Sequence, residues 1–226
     1  MNGKPIFDDI ANLYDKWFET PLGKKIFESE KRAIENLIEE GNGKVALDLG
    51  IGTGLFTQIL REKGYKVIGI DISEEMLKIA KKRGFEVIKH DFNYPLPFEK
   101  ESFDFVFSMT SIEFLLDPKP LFNEVKRILK KDGKFLLITL NSLSLWALKR
   151  RIEGLFDKNN LFNKARFYSP SSLKKFFKEG WKILRCESKT FIPPWNPLFP
   201  SFWENIFSKI FPSFGAISII LIKKKI

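Results

Sequence analysis

Three glycines at alternate positions stand where a short apolar run ends. Residues 45–49 read Val-Ala-Leu-Asp-Leu, and Gly50, Gly52 and Gly54 follow them. Such a run is typical of a buried strand, and the glycines indicate a sharp turn into a helix. Glycines let the backbone approach a ligand closely, and the first amides of a helix have no partner within it. The pattern therefore predicts a binding site at this turn, beside Asp48; the alternative is an ordinary tight turn.

A second carboxylate, Asp71, ends the next apolar run, 66–70. Its two acceptor oxygens suit two neighbouring ribose hydroxyls. An acid at this place also occurs in dinucleotide-binding folds, but their glycine motif requires glycine or alanine where this chain has Leu55. The spacing therefore argues against a dinucleotide. The alternative role of Asp71 is to cap the following helix.

Alternating strands and helices must position these residues. We predict strands at 44–49, 66–70, 85–89, 103–108, 134–140, 181–189 and 216–222, and helices at 6–18, 21–40, 55–63, 74–83, 118–130 and 170–178. Thr20, Ser73 and Ser169 stand where helix caps are expected. Strands separated by helices predict a parallel sheet with helices on both faces, and ligands bind such sheets at the carboxyl ends of the strands.

The composition is that of one globular main domain. The chain has 226 residues, 44% of them hydrophobic and 29% charged, with a net charge of +10 spread along its length. Residues 1–5 lack the apolar run of a signal peptide, 216–222 is too short to span a bilayer, and the single Cys186 cannot form an intramolecular disulfide. We therefore expect a cytoplasmic protein. Abundant Lys and Glu, with Gln58 the only glutamine, are typical of a thermophile.

Several segments occur in the order and spacing of a known family. Residues 48–54 read Asp-Leu-Gly-Ile-Gly-Thr-Gly, and 68–77, 90–98, 102–108 and 129–135 follow them. These motifs resemble those of class I S-adenosylmethionine-dependent methyltransferases, in particular the methyltransferase type 11 group, which includes the ubiquinone and menaquinone biosynthesis enzymes. The resemblance covers about residues 44–140. It implies a Rossmann-like seven-stranded mixed sheet with helices on both faces, N-terminal helices and a small cap, and S-adenosyl-L-methionine as the cofactor.

The resemblance also implies which residues hold the adenosine part of the cofactor. Asp71 would accept from the ribose hydroxyls, while Ile72 and Met76 would cover the adenine, although a Met at helical spacing is often core. Asp91 would accept from the adenine amino group, and the Phe92 amide would reach a ring nitrogen. From the residues alone, Asp91 is a turn residue.

At the other end of the cofactor, Asp48 and the backbone at Gly50 and Ser108 would face the methionine part. Gly52 and Gly54 complete the turn. The product would be S-adenosyl-L-homocysteine.

The reaction implied by the resemblance is an in-line displacement, which needs neither a protein nucleophile nor a metal. Catalysis then consists largely in positioning the reacting groups and excluding water, and a base is needed only if the acceptor loses a proton. The candidate bases are Tyr14, Glu113 and His90, the only histidine. In the quinone O-methyltransferase branch the region of Glu113 resembles a Glu-His pair. The chain has Phe114 there, which argues against a metal and a histidine base.

The additions to the core would select the acceptor. We divide the single structural domain into a helical lid (1–43), the cofactor-binding core (44–140), an inserted cap (141–169) and a segment that completes the sheet (170–226).

Four residues of the lid and the cap are candidates for covering the cofactor or the acceptor. Tyr14 and Trp17 are the lid candidates, although packing of their helix on the sheet is an alternative. Trp146 and Arg166 are candidates in the cap. Arg166 would hold an acidic group of the substrate or pair with a surface glutamate.

The partner is expected to be a small or lipophilic molecule. Residues 191–214 are rich in aromatics and lie near lysines, so they would contact a membrane interface or close the sheet edge. The protein would be a monomer or homodimer. Two alternatives remain: an RNA methyltransferase, suggested by the charge although nucleic acid is the less favoured partner, and a regulatory protein that binds the cofactor without turnover, suggested by the scarcity of bases.

Overall fold

A computed structural model describes residues 5, 7–158, 160–195 and 197–225. Most of residues 1–5, on which the signal-peptide argument rests, and Ile6, where the first predicted helix begins, lie outside this part. The strands described are β1 (Val45–Leu49), β2 (Lys66–Asp71), β3 (Glu86–Lys89), β4 (Phe103–Met109), β5 (Leu129–Leu140), β6 (Trp181–Lys189) and β7 (Ile217–Lys224). They form one sheet in the order β3-β2-β1-β4-β5-β7-β6. Strand β7 pairs antiparallel with β5 and β6, and the other described strand pairs are parallel. The predicted seven-stranded mixed α/β sheet is confirmed.

The helices of the described residues are α1 (Ala11–Glu19), α2 (Pro21–Glu35), α3 (Thr57–Glu62), α4 (Glu74–Lys82), α5 (Lys119–Ile128), α6 (Leu145–Phe156), α7 (Pro170–Phe176) and α8 (Pro200–Ile210). The side chains of Thr20, Ser73 and Ser169 accept hydrogen bonds from backbone amides three residues later. The three predicted helix caps are therefore confirmed. No helix in the described ranges has the length and apolar composition needed to cross a bilayer.

Neighbouring residues of each strand point to opposite sides of the sheet, and apolar side chains are buried on both of its faces. Leu47 and Val106 belong to one hydrophobic cluster, which α5 and α7 cover. Ala46 and Phe105 belong to the other, which α2 and α3 cover. The predicted arrangement of helices on both faces is confirmed.

Three elements differ from the prediction. Helix α2 ends at Glu35 instead of residue 40, because the chain then turns so that the Gly41 amide donates to the Lys63 carbonyl. Strand β5 begins at Leu129 instead of 134. Its pairing passes from Phe103 opposite Leu129 to Phe105 opposite Lys134, so a bulge absorbs the extra residues. Helix α8 was not predicted at all.

Candidate functional site

The candidate site lies at the carboxyl edge of the sheet, where the strand order reverses. Strand β1 pairs with β2 on one side and with β4 on the other. The loops that leave β1 and β4 therefore lead toward opposite edges of the sheet and leave a crevice between them, which is where open α/β sheets bind ligands, and the loop after β2 lies beside it.

The three glycines of the first loop all have positive φ angles, and their surroundings differ. A Cβ at Gly50 would come within 2.4 Å of the Ser111 Cβ, and one at Gly54 within 2.8 Å of the Phe85 ring. A Cβ at Gly52, where φ is +54°, would meet no atom within 4 Å. Packing inside the protein thus explains two of the glycines, whereas Gly52 leaves open space above the turn.

Asp71 joins the loops that follow β1 and β2. Its Oδ2 accepts from the Gly52 amide at 2.9 Å and its Oδ1 from the Ser73 amide at 2.9 Å. Burial raises the pKa of Asp71, and these backbone bonds oppose that shift. Because the hydroxyl of Ser73 caps α4, the Asp71 carboxylate is not the side-chain cap of that helix. It lies instead beside the open space at Gly52.

Four residues expected near the adenine have different environments. Ile72 is 42% exposed, an unusual state for an isoleucine next to a sheet, whereas Met76 is 2% exposed. The Oδ1 of Asp91 accepts from the amide and the side chain of Asn93, so Asp91 holds its own turn. The Phe92 ring packs against the main hydrophobic cluster. Ile72 is therefore the apolar side chain that the crevice exposes.

Asp48 and Ser108 lie beneath the glycine turn. Asp48 is buried, and its Oδ2 accepts from the Thr57 hydroxyl at 2.6 Å. Burial raises the pKa of Asp48 to about 7, against the lowering effect of that bond. The hydroxyl of Ser108 donates to the Leu49 carbonyl at 3.0 Å and lies 2.7 Å from the Ser111 hydroxyl. Both residues hold the loop from below.

Helix α1 lies across the turn. Tyr14 and Asp48 border a cavity of about 40 Å³ at the glycines. Burial raises the pKa of the Tyr14 hydroxyl, and the Thr110 side chain opposes that shift. Asp15 accepts from the Thr53 hydroxyl at 2.7 Å and forms an ion pair with Arg83. Helix α1 is thereby fixed over the site.

The sequence reasoning missed the acids that fix this helix. Besides Asp15, Asp8 accepts a short hydrogen bond from the Ser73 hydroxyl. Their partners lie 38 to 68 residues along the chain. No local motif connects residues so far apart, so only the folded structure reveals these contacts.

Two tryptophans connect this site with the cap. Trp17 is 39% exposed, and its ring centroid lies 4.8 Å from that of Phe18 and 6.2 Å from that of Trp146. Trp146 is buried and donates from Nε1 to the Ile192 carbonyl at 2.8 Å. The structure therefore brings Trp17 and Trp146 together.

His90 and Arg166 contact backbone groups. The His90 amide donates to the Asp71 carbonyl at 2.9 Å, and its Nε2 lies 3.4 Å from the Tyr94 carbonyl oxygen. The exposed Arg166 donates from Nη1 to the Leu116 carbonyl. This contact differs from both roles expected for Arg166, a substrate group and a surface glutamate.

Glu113 is fully buried, with an exposed fraction of 0%. Its Oε1 accepts from the Leu140 amide at 2.6 Å, while its Oε2 has no hydrogen-bond partner among the described residues. Burial raises the pKa of Glu113 to about 7. Within the described ranges no three His, Cys, Asp or Glu side chains are grouped so that they could hold a metal ion.

A second cavity, of about 190 Å³, opens beside Trp146. We call it the apolar cavity. Its walls come from α6, from the segment after β6 and from α8; they are Leu145, Trp146, Thr190, Phe191, Ile192, Pro193, Phe207, Phe211, Phe214 and Ala216. Trp146 also touches Trp17 of α1, the helix whose Tyr14 borders the cavity at the glycines, so α1 connects the two cavities.

Comparison with known proteins agrees with this geometry. Residues 47–137 match a family model described as a methyltransferase domain. The chain is 36% identical to an uncharacterized protein of Methanocaldococcus jannaschii over 82% of this chain and 85% of that protein. It is 30% identical to the ubiquinone biosynthesis O-methyltransferase of Idiomarina loihiensis over 62% of each chain.

A solved structure is similar over almost its whole length. It is described as an S-adenosylmethionine-dependent methyltransferase, possible histamine N-methyltransferase, of Thermotoga maritima; the identity is 27%, the TM-score 0.78, and the match covers 97% of this chain and 99% of that chain. The present chain belongs to the S-adenosylmethionine-dependent methyltransferases, with S-adenosylmethionine as its cofactor.

Proposed function

We propose that this enzyme methylates a small lipophilic molecule. The observation that carries the proposal is the position of the apolar cavity. It adjoins Trp146, which contacts Trp17 on the helix that covers the glycine turn. An apolar body in this cavity would therefore lie close to the donor site, and a cavity of about 190 Å³ with apolar walls favours such a body.

The residues at the crevice fit the cofactor. We assign the ribose hydroxyls to the Asp71 carboxylate, one face of the adenine to the exposed Ile72, and the close approach of the methionine part to the open space at Gly52. Asp48 and Ser108 support the loop, as their contacts with Thr57 and Leu49 indicate. When bound, S-adenosylmethionine supplies an electrophilic methyl group.

The remaining contribution of the protein is positioning and exclusion of water. Tyr14 suits this role because it covers the glycine turn, and its raised pKa keeps the phenol neutral. If the acceptor loses a proton, Glu113 is the proposed group to take it. Its pKa of about 7, and an Oε2 that accepts no hydrogen bond from the described residues, suit proton transfer near neutral pH. His90 is not the proposed base, because it contacts the backbone of Asp71 and Tyr94 on the side that we assign to the adenine.

We also propose that two helices contact a lipid surface. Leu148, Ile152 and Leu155 form an exposed stripe along α6, and Phe202, Ile206 and Ile210 form another along α8. Apolar stripes that face outward at helical spacing suit an interfacial helix, and basic residues beside them, Lys149, Arg151 and Lys209, suit anionic head groups. A lipophilic acceptor would enter the apolar cavity from that surface.

The acceptor class is tested by following a labelled methyl group. The enzyme is incubated with isotopically labelled S-adenosylmethionine and with separate lipid, water-soluble and RNA fractions of a cell extract. We expect label in a small molecule of the lipid fraction, identified by mass spectrometry. Label in RNA alone, or in a water-soluble amine alone, would contradict the proposal.

Replacing Trp17 by alanine is expected to speed cofactor release and to slow turnover with little change in stability. The side chain is partly exposed and its ring contacts are with Phe18 and Trp146, so the melting temperature should fall by less than about 2 °C. Phe18→Ala is the contrast, because the Phe18 ring also packs on Phe27 and Phe56 in the core. A large loss of stability in Trp17→Ala would show that Trp17 is a packing residue and not part of a lid.

A further inference from the structure

Arg150 of α6 contacts Trp146, in the wall of the apolar cavity, and has no polar partner among the described residues. Its guanidinium carbon is 5.4 Å from the centre of the Trp146 ring and 4.4 Å from that of Phe162. The residue is half-buried. Among the described residues, none accepts a hydrogen bond from Arg150 or forms an ion pair with it. Aromatic rings stabilise a cation, but they leave its five N–H donors without oxygen acceptors.

The carboxylates near Arg150 do not fill that need. Glu153 is paired with Lys149. Glu204, which acts on the pKa of Glu30 and not on that of Arg150, accepts from the Ser29 hydroxyl and from the Phe191 amide. These two acids are therefore occupied elsewhere.

The two deeper acids, Glu30 and Glu113, influence Arg150 only at longer range. Glu30 is 7% exposed and makes no hydrogen bond or ion pair with any described residue, while Glu113 uses one oxygen for the Leu140 amide. Both raise the pKa of Arg150, which burial lowers to about 10. No described carboxylate thus touches the guanidinium.

The charge balance at neutral pH favours an anion. Burial raises the pKa of Glu30 to about 8 and that of Glu113 to about 7, so both carboxyl groups carry less negative charge at neutral pH than exposed glutamates do. Arg150 remains charged. A partly buried charge that no described carboxylate touches is unfavourable, so the Arg150 guanidinium favours an anion from outside the protein.

Trp146 links this cluster to the donor site. Its ring lies beside the Arg150 guanidinium, contacts Trp17 of α1 and lines the apolar cavity. Helix α1 also carries Tyr14, which borders the cavity at the glycine turn. Arg150, the apolar cavity and the helix over the glycine turn are therefore connected through one side chain.

We propose that Arg150 binds the acidic head group, a carboxylate or a phosphate, of an amphipathic acceptor whose apolar body occupies the cavity beside Trp146. The proposal rests on the proposed function, because it assumes that the cavity holds the acceptor. Bidentate hydrogen bonds from a guanidinium suit both acidic groups. Arg150 thereby acts as a residue that determines specificity, and no part of the methyl transfer is assigned to it.

The proposal is tested by direct binding, independently of turnover. Decanoate, decyl phosphate, decylamine and decanol are titrated into the full chain in the presence of S-adenosylhomocysteine. We expect decanoate or decyl phosphate to bind about tenfold or more tightly than decanol, and the better of the two identifies the head group. Arg150→Gln should remove this preference and Arg150→Lys should restore part of it. Arg151→Gln, an exposed neighbour on α6, should retain it.

The outcomes separate this proposal from the proposed function. Equal binding of decanol and the two acids, or a preference that survives in Arg150→Gln, would overturn the role of Arg150 alone. Tightest binding of decylamine, lost in Glu30→Gln, would show a site for a cationic amine instead. No binding of any probe would overturn both the acid site and the lipophilic cavity. Melting curves of each variant verify folding, and Arg150→Lys remains informative if the Gln variant does not fold.

Discussion

Replacing Asp71 by alanine is expected to raise the dissociation constant for S-adenosylmethionine by about 10- to 100-fold. The carboxylate is the acceptor that we assign to the ribose hydroxyls, and charge-assisted hydrogen bonds are the strong ones. It also accepts from the Gly52 and Ser73 amides and so holds the loops that follow β1 and β2. Alanine removes the ligand contact and both loop contacts. Isothermal titration calorimetry of the purified variant measures the effect.

Asp104→Ala is the matched control. Asp104 also lies on a strand of the sheet, and its carboxylate accepts from the Val45 amide at 3.0 Å and from Lys130 at 2.9 Å. It stands at the opposite edge of the sheet, where β4 begins. Its loss should cost stability without changing the affinity. An unchanged affinity in Asp71→Ala, or an equal loss in both variants, would contradict the ribose role.

Replacing Gly52 by alanine is expected to weaken cofactor binding at least tenfold while the protein stays folded. The φ angle of +54° is strained for alanine and costs about 1–2 kcal/mol. The added methyl group would meet no protein atom within 4 Å, so it would project into the open space above the turn. That is the space we assign to the ligand. Calorimetry and thermal melting together separate the two effects.

Gly43→Ala isolates the backbone strain from the ligand effect. Gly43 has a φ of +81°, and a Cβ there would also meet nothing within 4 Å. It precedes β1, at the edge of the sheet away from the site. We therefore expect a similar fall in melting temperature and an unchanged affinity. A Gly52→Ala variant that binds the cofactor as tightly as Gly43→Ala does would show that the space at Gly52 serves no ligand.

Most of the fold follows from local patterns in the sequence. The alternation of apolar runs and helical segments predicts every strand of the sheet, and β6 occurs at the predicted residues 181–189. Helix α8 escapes prediction because its apolar residues are not directed into a core. None of its residues is fully buried, and its first residue, Pro200, follows a segment rich in proline and aromatics.

The bulge in β5 escapes prediction for a different reason. Residues 129–135 have the composition of a turn, with Asp132 and Gly133 in the middle. Pairing with β4 nevertheless begins at Leu129, and Asp132 adopts a φ of +65° within the strand. Tertiary pairing therefore overrides the local preference.

The site is predictable from sequence only where its residues end a strand or directly follow one. The glycine turn and Asp71 are contiguous with their strands, so the pattern points to them. The cluster of Glu30, Glu113 and Arg150 comes from three distant segments, and nothing in the sequence near any of these residues indicates the others. Buried acids with raised pKa values appear only when packing removes water from them.

The most direct test of the central assignment is a calorimetric titration of the unmodified protein with S-adenosylmethionine and, separately, with NAD⁺. The structure predicts one saturable site for S-adenosylmethionine, which S-adenosylhomocysteine blocks and which NAD⁺ does not compete for. Saturable binding of NAD⁺, with no heat from S-adenosylmethionine, would contradict the assignment of the crevice between Gly52 and Asp71.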